Sequence, residues 1–169
     1  MIIGQPGSGK STLARAIGDL AGLPVVHVDM IHWMPGWIER PLSDKIEMAL
    51  IEEAKPCWVF EGGLSRTWDN RMSRADTIIW LDIIFLLRVW RVFKRTIKDF
   101  GRTRADLPEN CPERFNGEFW RWIWNTRKTA RQKIIRQLEQ VRPDQDVYHL
   151  RSPNDVRRFL KEQRELAGA

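Results

Sequence analysis

The sequence predicts an α/β fold, in which a parallel sheet is covered by helices on both faces. Short apolar runs alternate along the chain with amphipathic helical patterns, and a glycine-rich turn joins the first run to the first helix. The runs that read as buried strands are Ile2-Ile3, 24–28, 58–60, 77–81 and 147–150. With 169 residues, the chain fits one compact domain over residues 1–169.

Capping residues predict where several helices begin. The first helix follows the glycine turn, and Ser43 is expected to cap a helix that ends near Ala54. The run from Ser152 to Asp155 supplies a cap, a first-turn proline and an acid, so the last helix begins there and ends near residue 166. Between the fourth and fifth strands, helical patterns cover 84–100 and 118–141, and the polar segment 101–117 between them is predicted to be a lid.

Composition restricts the ligand class. The formal charge is +6, and arginine outnumbers lysine among the 28 basic residues. Because guanidinium groups bind phosphate bidentately, this bias favours phosphorylated partners. Charge alone does not separate a small phosphorylated molecule from nucleic acid. The nine tryptophans fit either a core and cleft lining or platforms for stacked bases.

The cysteines and the apolar windows indicate a soluble cytoplasmic protein. Cys57 and Cys111 lie far apart without metal-ligand spacing, so we expect free thiols in a reducing compartment. No segment has the pattern of a secretory signal. The most apolar window, residues 77–87, is too short for a bilayer span and contains Asp82, so no membrane partner is expected.

The segment Gly4–Ser11 reads GQPGSGKS and satisfies the pattern G-x-x-x-x-G-K-[ST] between a strand and a helix. This order of elements predicts a P-loop that binds MgATP. Backbone N–H groups and the helix start would surround the phosphates, Lys10 would reach the β and γ phosphates, and the Ser11 hydroxyl would bind Mg²⁺. The residues predicted to bind nucleotide here are Gly4, Gly7, Ser8, Gly9, Lys10, Ser11 and Thr12.

Acids that follow strands are candidates for metal binding or proton transfer, because ligands of open α/β sheets lie at the carboxyl ends of the strands. Asp29, Glu61 and Asp82 each follow a predicted strand, and each could instead be a helix cap or a solvated acid. Glu61 is favoured because Gly62-Gly63 after it permits close approach of a ligand. His27 is interpreted as a core residue.

Arginines recur along the helical pattern at 84–100 at steps of three and four. Such a stripe is commonly solvated, but the absence of acids between Arg88 and Lys98 favours phosphate binding. The predicted lid adds Arg102, Arg104 and Arg114, which closure would bring onto a transferring phosphoryl group. The members of the stripe are Arg88, Arg91, Arg95, Lys98 and Arg102.

Taken together, these residues resemble the adenylate-kinase-like P-loop kinases, and most closely the bacterial FlaR-type DNA topology modulation proteins. The resemblance covers nearly the whole chain. Its segments are Gly4–Ser11, His27-Val28-Asp29, Trp33-Met34-Pro35-Gly36-Trp37, Ser65-Arg66-Thr67, Arg74-Ala75-Asp76-Thr77 and Cys111–Phe115 leading into Trp122–Asn125.

The resemblance implies a three-layer P-loop fold with a five-stranded parallel sheet in the order 2-3-1-4-5 and a helical lid. It also implies that Arg66 contacts a substrate phosphate and that Glu61 lies near the metal. The run Glu61–Thr67 is one residue longer than in adenylate kinases and lacks their Phe-Pro, so AMP is not implied as the acceptor.

Two functions follow as expectations. The first is a kinase that transfers the γ-phosphate of ATP to a nucleotide or another small acceptor between Asp29, the tryptophans at 33 and 37, Glu61 and Arg66, with adenine between a lid arginine and Arg151. The second is an ATP-binding protein that acts on DNA, although no base-reading module is visible in the sequence. Weak, non-specific DNA contact is compatible with both.

Overall fold

The computed structural model describes residues 1–168, which form an α/β fold around a five-stranded parallel sheet. The sheet strands are β1 Ile2–Gly4, β2 Val25–His27, β5 Val59–Glu61, β6 Thr77–Leu81 and β7 Asp146–Leu150. Two further strands, β3 Trp33–Met34 and β4 Ile38–Glu39, form a separate antiparallel hairpin. The predicted α/β class and the five-stranded parallel sheet are therefore confirmed.

The hairpin changes how the strand order is written. The sheet order along the chain numbering is β2-β5-β1-β6-β7, which differs from the predicted numbering because β3 and β4 precede the third sheet strand. The sequence analysis did not predict this hairpin, since each of its strands has only two residues. With the hairpin left out of the count, the same sheet reads 2-3-1-4-5.

Eight helices lie within residues 1–168. They are α1 Lys10–Ala21, α2 Val28–His32, α3 Leu42–Glu53, α4 Trp68–Arg74, α5 Phe85–Lys98, α6 Gly117–Thr126, α7 Thr129–Leu138 and α8 Pro153–Ala167. The capping box that begins α8 is present as predicted, with Ser152 accepting from the Asp155 N–H at 3.1 Å.

Two local predictions are wrong. Ser43 does not cap α3, because the helix already begins at Leu42 and the Ser43 hydroxyl donates to Asp44. The helix predicted over 118–141 is two helices, which are interrupted at residues 127 and 128. The polar segment predicted at 101–117 does connect two helices, and isolated bridges from Phe100 to Glu113 and from Thr103 to Pro112 fold it back on itself.

Helices cover both faces of the sheet, and alternate residues of β1 show why. Ile2 packs with Leu13 of α1 and Phe159 of α8, whereas Ile3 packs with Met72 of α4 and Ile134 of α7. Successive side chains of a strand point to opposite faces, so a strand buried on both faces is apolar throughout. The loops at the carboxyl ends of the strands are left to form the site.

Within residues 1–168, none of the helices has the length and apolarity that crossing a bilayer requires.

Candidate functional site

The glycine-rich loop between β1 and α1 is shaped by close backbone packing. Gly4 has φ +155°, and a Cβ there would lie 2.7 Å from the carbonyl oxygen of Leu81. Gly7 has φ +76°, and a Cβ there would collide with the carbonyl oxygen of Arg88. Larger residues would push the loop away from β6 and α5, so both glycines are required by conformation and by space.

The start of α1 offers hydrogen-bond donors to an anion. The helix begins at Lys10 after Gly9, which adopts a left-handed conformation and has no side chain to cap the first turn. The first N–H groups of a helix have no intrahelical acceptor, and they carry the positive end of the helix dipole. Within residues 1–168 the buried Ser8 hydroxyl also has no hydrogen-bond partner. These donors fit a bound phosphate group.

Four predicted residues come together beside this loop. The charge of Lys10 acts on both Asp29 and Glu61, and the Ser11 hydroxyl lies next to Glu61. Asp29 lies in the first turn of α2, directly after β2, and Glu61 is the last residue of β5. The parallel pairing of β2 with β5 places these two strand ends side by side.

Glu61 is buried and ionised. Burial alone would raise its pKa, but the hydrogen bond from His27, the charge of Lys10 and the Ser11 hydroxyl together lower the pKa below the ordinary value. His27 Nδ1 donates that hydrogen bond to Glu61 Oε1 over 2.7 Å. His27 is therefore a largely buried residue whose polar partner is Glu61, which agrees with its interpretation as a structural residue.

Asp29 differs from Glu61 in the direction in which its pKa is shifted. Dehydration by the surrounding protein raises the pKa of Asp29, and the negative charge of Glu61 raises it further, while Lys10 and Arg104 act in the opposite direction. The side chain is open to solvent, so the surrounding protein dehydrates it only in part. Two neighbouring carboxyl groups whose pKa values shift in opposite directions suit different roles in one reaction.

The first two arginines of the α5 stripe contact the backbone of the loop. Arg88 is buried and donates to the carbonyl oxygen of Pro6 at 3.2 Å, and Arg91 donates to that of Ser8 at 3.1 Å. A guanidinium held by carbonyl oxygens keeps its charge beside the loop. α5 therefore holds the loop in place and adds positive charge next to it.

Arg95 and Arg104 form an ionic cluster between α5 and the lid segment. Arg95 lies 3.4 Å from Glu113, and Arg104 lies 2.8 Å from Asp106 and 3.2 Å from Glu113. In the part of the chain that the structure describes, the Arg95 Nε atom is buried and has no hydrogen-bond acceptor, whereas Arg104 Nε lies 3.2 Å from Glu113 Oε2. Both guanidiniums are close enough to interact with Asp29, so they lie where an anion beside the loop could accept from them.

The lid segment packs on the β3–β4 hairpin. The Trp37 indole N–H donates to the carbonyl oxygen of Pro112 at 2.9 Å, and the Trp37 backbone N–H donates to Cys111 Sγ at 3.3 Å. Gly36 adds a backbone bond to Glu109. The ring of Trp33 lies edge-on to that of Trp37 at 5.3 Å. The hairpin and the lid segment therefore form one wall, which follows α2 in the chain.

Four other predicted arginines lie outside this group. Arg66, Arg102, Arg114 and Arg151 are all exposed. Arg114 lies over the Trp37 ring at 6.0 Å, and Arg151 lies 3.4 Å from His149 Nδ1. Their predicted contacts with bound substrates stay predictions. Among the predicted lid arginines, Arg104 is the one whose charge acts on Asp29. Its guanidinium is held by Asp106, two residues later in the sequence.

Sequence reasoning missed the buried pair of Arg71 and Glu53. Both side chains are completely buried, 3.0 Å apart, and Arg71 also donates to the carbonyl oxygen of Gly63 at 3.2 Å. Gly62 was expected to admit a ligand, but a Cβ there would lie 2.7 Å from Val28 Cβ, so this glycine permits α2 to pack. The pair fixes the loop after Glu61.

A cavity of about 500 Å³ lies on the other side of the loop, toward β7. Asp82 lies at its edge and does not cap α5, which begins after Ile84 without a side-chain cap. Its carboxylate instead accepts from Arg131 and lies 3.0 Å from His149 Nε2. Four guanidiniums and an aromatic ring line this space. The polar and aromatic lining includes Gln5, Phe85, Arg88, Arg127, Arg131 and Arg151.

No protein-family model matches the chain, and no curated protein sequence matches it. Among solved structures, the chain is similar to an unliganded crystal structure of a sugar kinase from Janibacter sp. HTCC2649. The two share 18% sequence identity, the match covers 98% of this chain and 89% of that chain, and the TM-score is 0.45. This is a distant likeness of overall fold.

Proposed function

We propose that the chain is a phosphotransferase that binds MgATP on the loop Gly4–Ser11 and transfers the γ-phosphate to a small hydroxylated acceptor. The observation that carries this proposal is the convergence of Lys10, Ser11, Asp29 and Glu61 beside uncapped helix donors. A phosphate loop, an oxygen pair for a metal and a second carboxyl group are the parts that phosphoryl transfer requires.

Mg²⁺ fits the oxygen donors at the end of β5. Mg²⁺ is commonly bound by one or two protein oxygens together with substrate phosphates and water. The Ser11 hydroxyl and the ionised Glu61 carboxylate would supply those oxygens, and the hydrogen bond from His27 would fix the carboxylate. When bound, the ion would neutralise charge that develops on the phosphate oxygens.

Asp29 is the proposed base. Its raised pKa favours uptake of the proton that an acceptor hydroxyl loses as its oxygen bonds to phosphorus and the bond from phosphorus to the ADP oxygen breaks. Glu61 stays ionised and is reserved for the metal. The acceptor would lie against the wall that carries Trp33 and Trp37, and exposed Arg66 would reach an acceptor that carries a phosphate.

Arg95 and Arg104 are the proposed donors to the transferring group. The acids Asp106 and Glu113 hold the two guanidiniums in position, and the buried Arg95 Nε still lacks an acceptor. Positive charge that is fixed before reaction stabilises the transition state without reorganisation. The predicted lid over 101–117 would then act through Arg104, while Arg102 and Arg114 would reach the site only after movement.

The adenine ring is proposed to occupy the cavity beside the loop. Its volume of about 500 Å³ is in the range of ligand sites, and its wall joins the loop residue Gln5 to the predicted adenine contact Arg151. Phe85 and Arg127 offer faces for stacking on the base. The cavity thus extends the phosphate site toward β7.

The test is phosphorus NMR of ADP formation from MgATP with a panel of nucleoside monophosphates, nucleosides and small hydroxylated metabolites, together with calorimetry of MgATP binding. We expect one acceptor class to release ADP, and Lys10→Ala to abolish measurable MgATP binding. Lys161→Ala is the matched control, because Lys161 is an exposed residue of α8, and this variant should bind MgATP normally. Unchanged affinity in Lys10→Ala would reject the phosphate loop as the nucleotide site.

An action on DNA is the alternative that the FlaR-type resemblance suggests, and the arginine geometry does not favour it. Arg88 and Arg91 point into the loop, and Arg95 is paired with Glu113, so these guanidiniums are not arranged along a duplex. We expect weak DNA binding without sequence preference that falls steeply with salt. Tight, sequence-selective binding at high salt in fluorescence anisotropy would support the alternative.

A further inference from the structure

The outward side of α5 carries a stripe of large apolar side chains that the fold leaves in solvent. Leu86, Trp90, Phe93 and Ile97 recur at steps of four and three, so they lie on one face of the helix. Leu86 is 76% exposed, and Trp90 and Ile97 are each 57% exposed. Phe100, just past the helix, continues the same spacing and is also exposed.

Aromatic contacts extend this stripe across to α6. Trp90 stacks on Phe93 at 6.0 Å, Phe93 meets Phe115 edge-on at 6.1 Å, and Phe115 stacks on Trp120 at 6.1 Å. The exposed apolar side chains therefore form one continuous patch, which we name the α5 patch. Monomeric proteins rarely expose so many large apolar groups together without a partner for them.

The most exposed members of the α5 patch, Leu86 and Ile97, contribute little to the fold. The side of α5 that packs on the protein carries Arg88, Val92 and Thr96, all of which are buried. That side holds the phosphate loop, whereas the patch faces away from it. Substituting the outward residues therefore tests a surface property separately from folding and from phosphotransfer.

Cations line one edge of the stripe. Arg91, Lys94 and Lys98 each follow a stripe residue directly, so all three lie about 100° further round the helix on the same side. Arg91 is turned to the loop, and both lysines are exposed. Residues 83–98 contain no acid. The edge of the patch is thus positively charged over two turns.

We propose that the α5 patch binds an anionic phospholipid surface, with the stripe inserted at the level of the headgroups and the lysines on lipid phosphates. A helix with Trp, Phe and Leu on one face and Lys and Arg beside it is the pattern of helices that lie in a bilayer interface. The charge of the lysine row indicates which ligand binds, because these lysines require a negatively charged partner. The apolar stripe would add affinity by inserting among the lipids.

Two other occupants fit the patch less well. In an antiparallel symmetric contact with a second copy, the two lysine rows would lie on the same side and face each other, where like charges repel. Single-stranded nucleic acid would stack on Trp90 and Phe93, but it gains little from the aliphatic Leu86 and Ile97 that alternate with them. Both remain as distinguishable outcomes of the test.

The experiment is co-sedimentation of the full chain with vesicles of phosphatidylcholine and phosphatidylglycerol in equal amounts, and with vesicles of phosphatidylcholine alone. We expect binding to the mixed vesicles that weakens with salt. Leu86→Gln combined with Ile97→Gln should reduce partitioning by roughly ten-fold or more. Lys94→Gln and Lys98→Gln should each reduce it by about five-fold.

Leu166→Gln is the matched control, since Leu166 is 73% exposed on α8, and it should leave partitioning unchanged. Thermal melting of each variant confirms that the fold is intact. Binding that the double variant retains would overturn the proposal. So would sedimentation velocity showing a dimer that the double variant loses, or binding of single-stranded oligonucleotide in place of vesicles.

Discussion

His27 and Glu61 are partners across neighbouring strands: their Cα atoms are in register between β2 and β5, and His27 Nδ1 lies 2.7 Å from Glu61 Oε1. Parallel pairing thus turns two residues that are 34 positions apart into one polar unit at the edge of the sheet. The unit lies beside Lys10 and Ser11, where a metal-bound triphosphate is proposed to bind. Its protonation should therefore be visible in nucleotide binding.

Replacing His27 with Phe should shift the pH dependence of MgATP binding. The hydrogen bond from His27 lowers the pKa of Glu61, so its loss raises that pKa. Protonated Glu61 cannot hold Mg²⁺ well, so MgATP binding weakens as the pH is lowered. In the variant, this loss of binding should begin at a higher pH than in the parent. Calorimetry of MgATP binding over a pH series measures this shift.

His32→Phe is the control for this experiment. His32 ends α2 and is half-buried, and its nearest acid is Glu39, 3.6 Å away. It should leave the pH dependence of MgATP binding unchanged. Equal profiles for both variants and the parent would show that His27 does not tune Glu61.

Asp29→Asn should stabilise the fold while it reduces catalysis. The folded-state pKa of Asp29 is raised above its unfolded value, so the ionised form is disfavoured in the folded protein. The stability linked to the protonated carboxyl is present at low pH and is lost as pH rises through the raised pKa. At neutral pH the charge therefore costs stability, and an amide removes that cost.

The measurements are urea unfolding at neutral pH and turnover with the identified acceptor. We expect a higher unfolding midpoint and a loss of turnover by roughly 10²-fold, with MgATP affinity nearly unchanged. Asp19→Asn, on the exposed side of α1, should change neither quantity. A variant that retains full turnover would exclude Asp29 as the base.

Local patterns were enough to predict the frame of the site, because each of its parts is contiguous in sequence. The loop Gly4–Ser11 and the strand-end position of Glu61 needed only a strand, a turn and a helix in order. The role of His27 depends on register between two strands, and the choice of Arg104 rather than Arg102 depends on how the lid segment folds on its acids. Such pairings are tertiary, and no local propensity specifies them.

The same reason explains why the pair of Arg71 and Glu53 escaped prediction. An arginine on a short polar helix reads as a surface residue, and only the packing of α4 on α3 buries it. Phe60 also packs on this pair, since the Arg71 guanidinium lies 3.9 Å from its ring centroid. Burial of a charge with its partners is decided by the assembled fold.

Arg71→Met should be strongly destabilising because it leaves Glu53 charged and buried without a counterion. Breaking such a pair costs about 3–5 kcal/mol. Replacing both residues by apolar ones in Arg71→Met with Glu53→Met should recover much of that loss, and urea unfolding measures both. Arg74→Met, at an exposed site of the same helix, is the control and should have little effect. A single variant as stable as the control would contradict the buried pair.

Gly7→Ala should weaken MgATP binding more than it weakens the fold. The residue has φ +76°, so alanine is strained there, and its methyl group would collide with the carbonyl oxygen of Arg88. The loop must then move away from α5, which separates its N–H groups from the charge of Arg91.

Gly22→Ala is the matched control, because Gly22 has φ +64° with no atom within 4 Å of a Cβ. Both variants should lose about 1 kcal/mol of stability from strain, and only Gly7→Ala should also lose nucleotide affinity, by roughly ten-fold or more for each displaced phosphate contact. Equal MgATP affinities for the two variants in calorimetry would mean that the loop's fit against α5 does not govern phosphate binding.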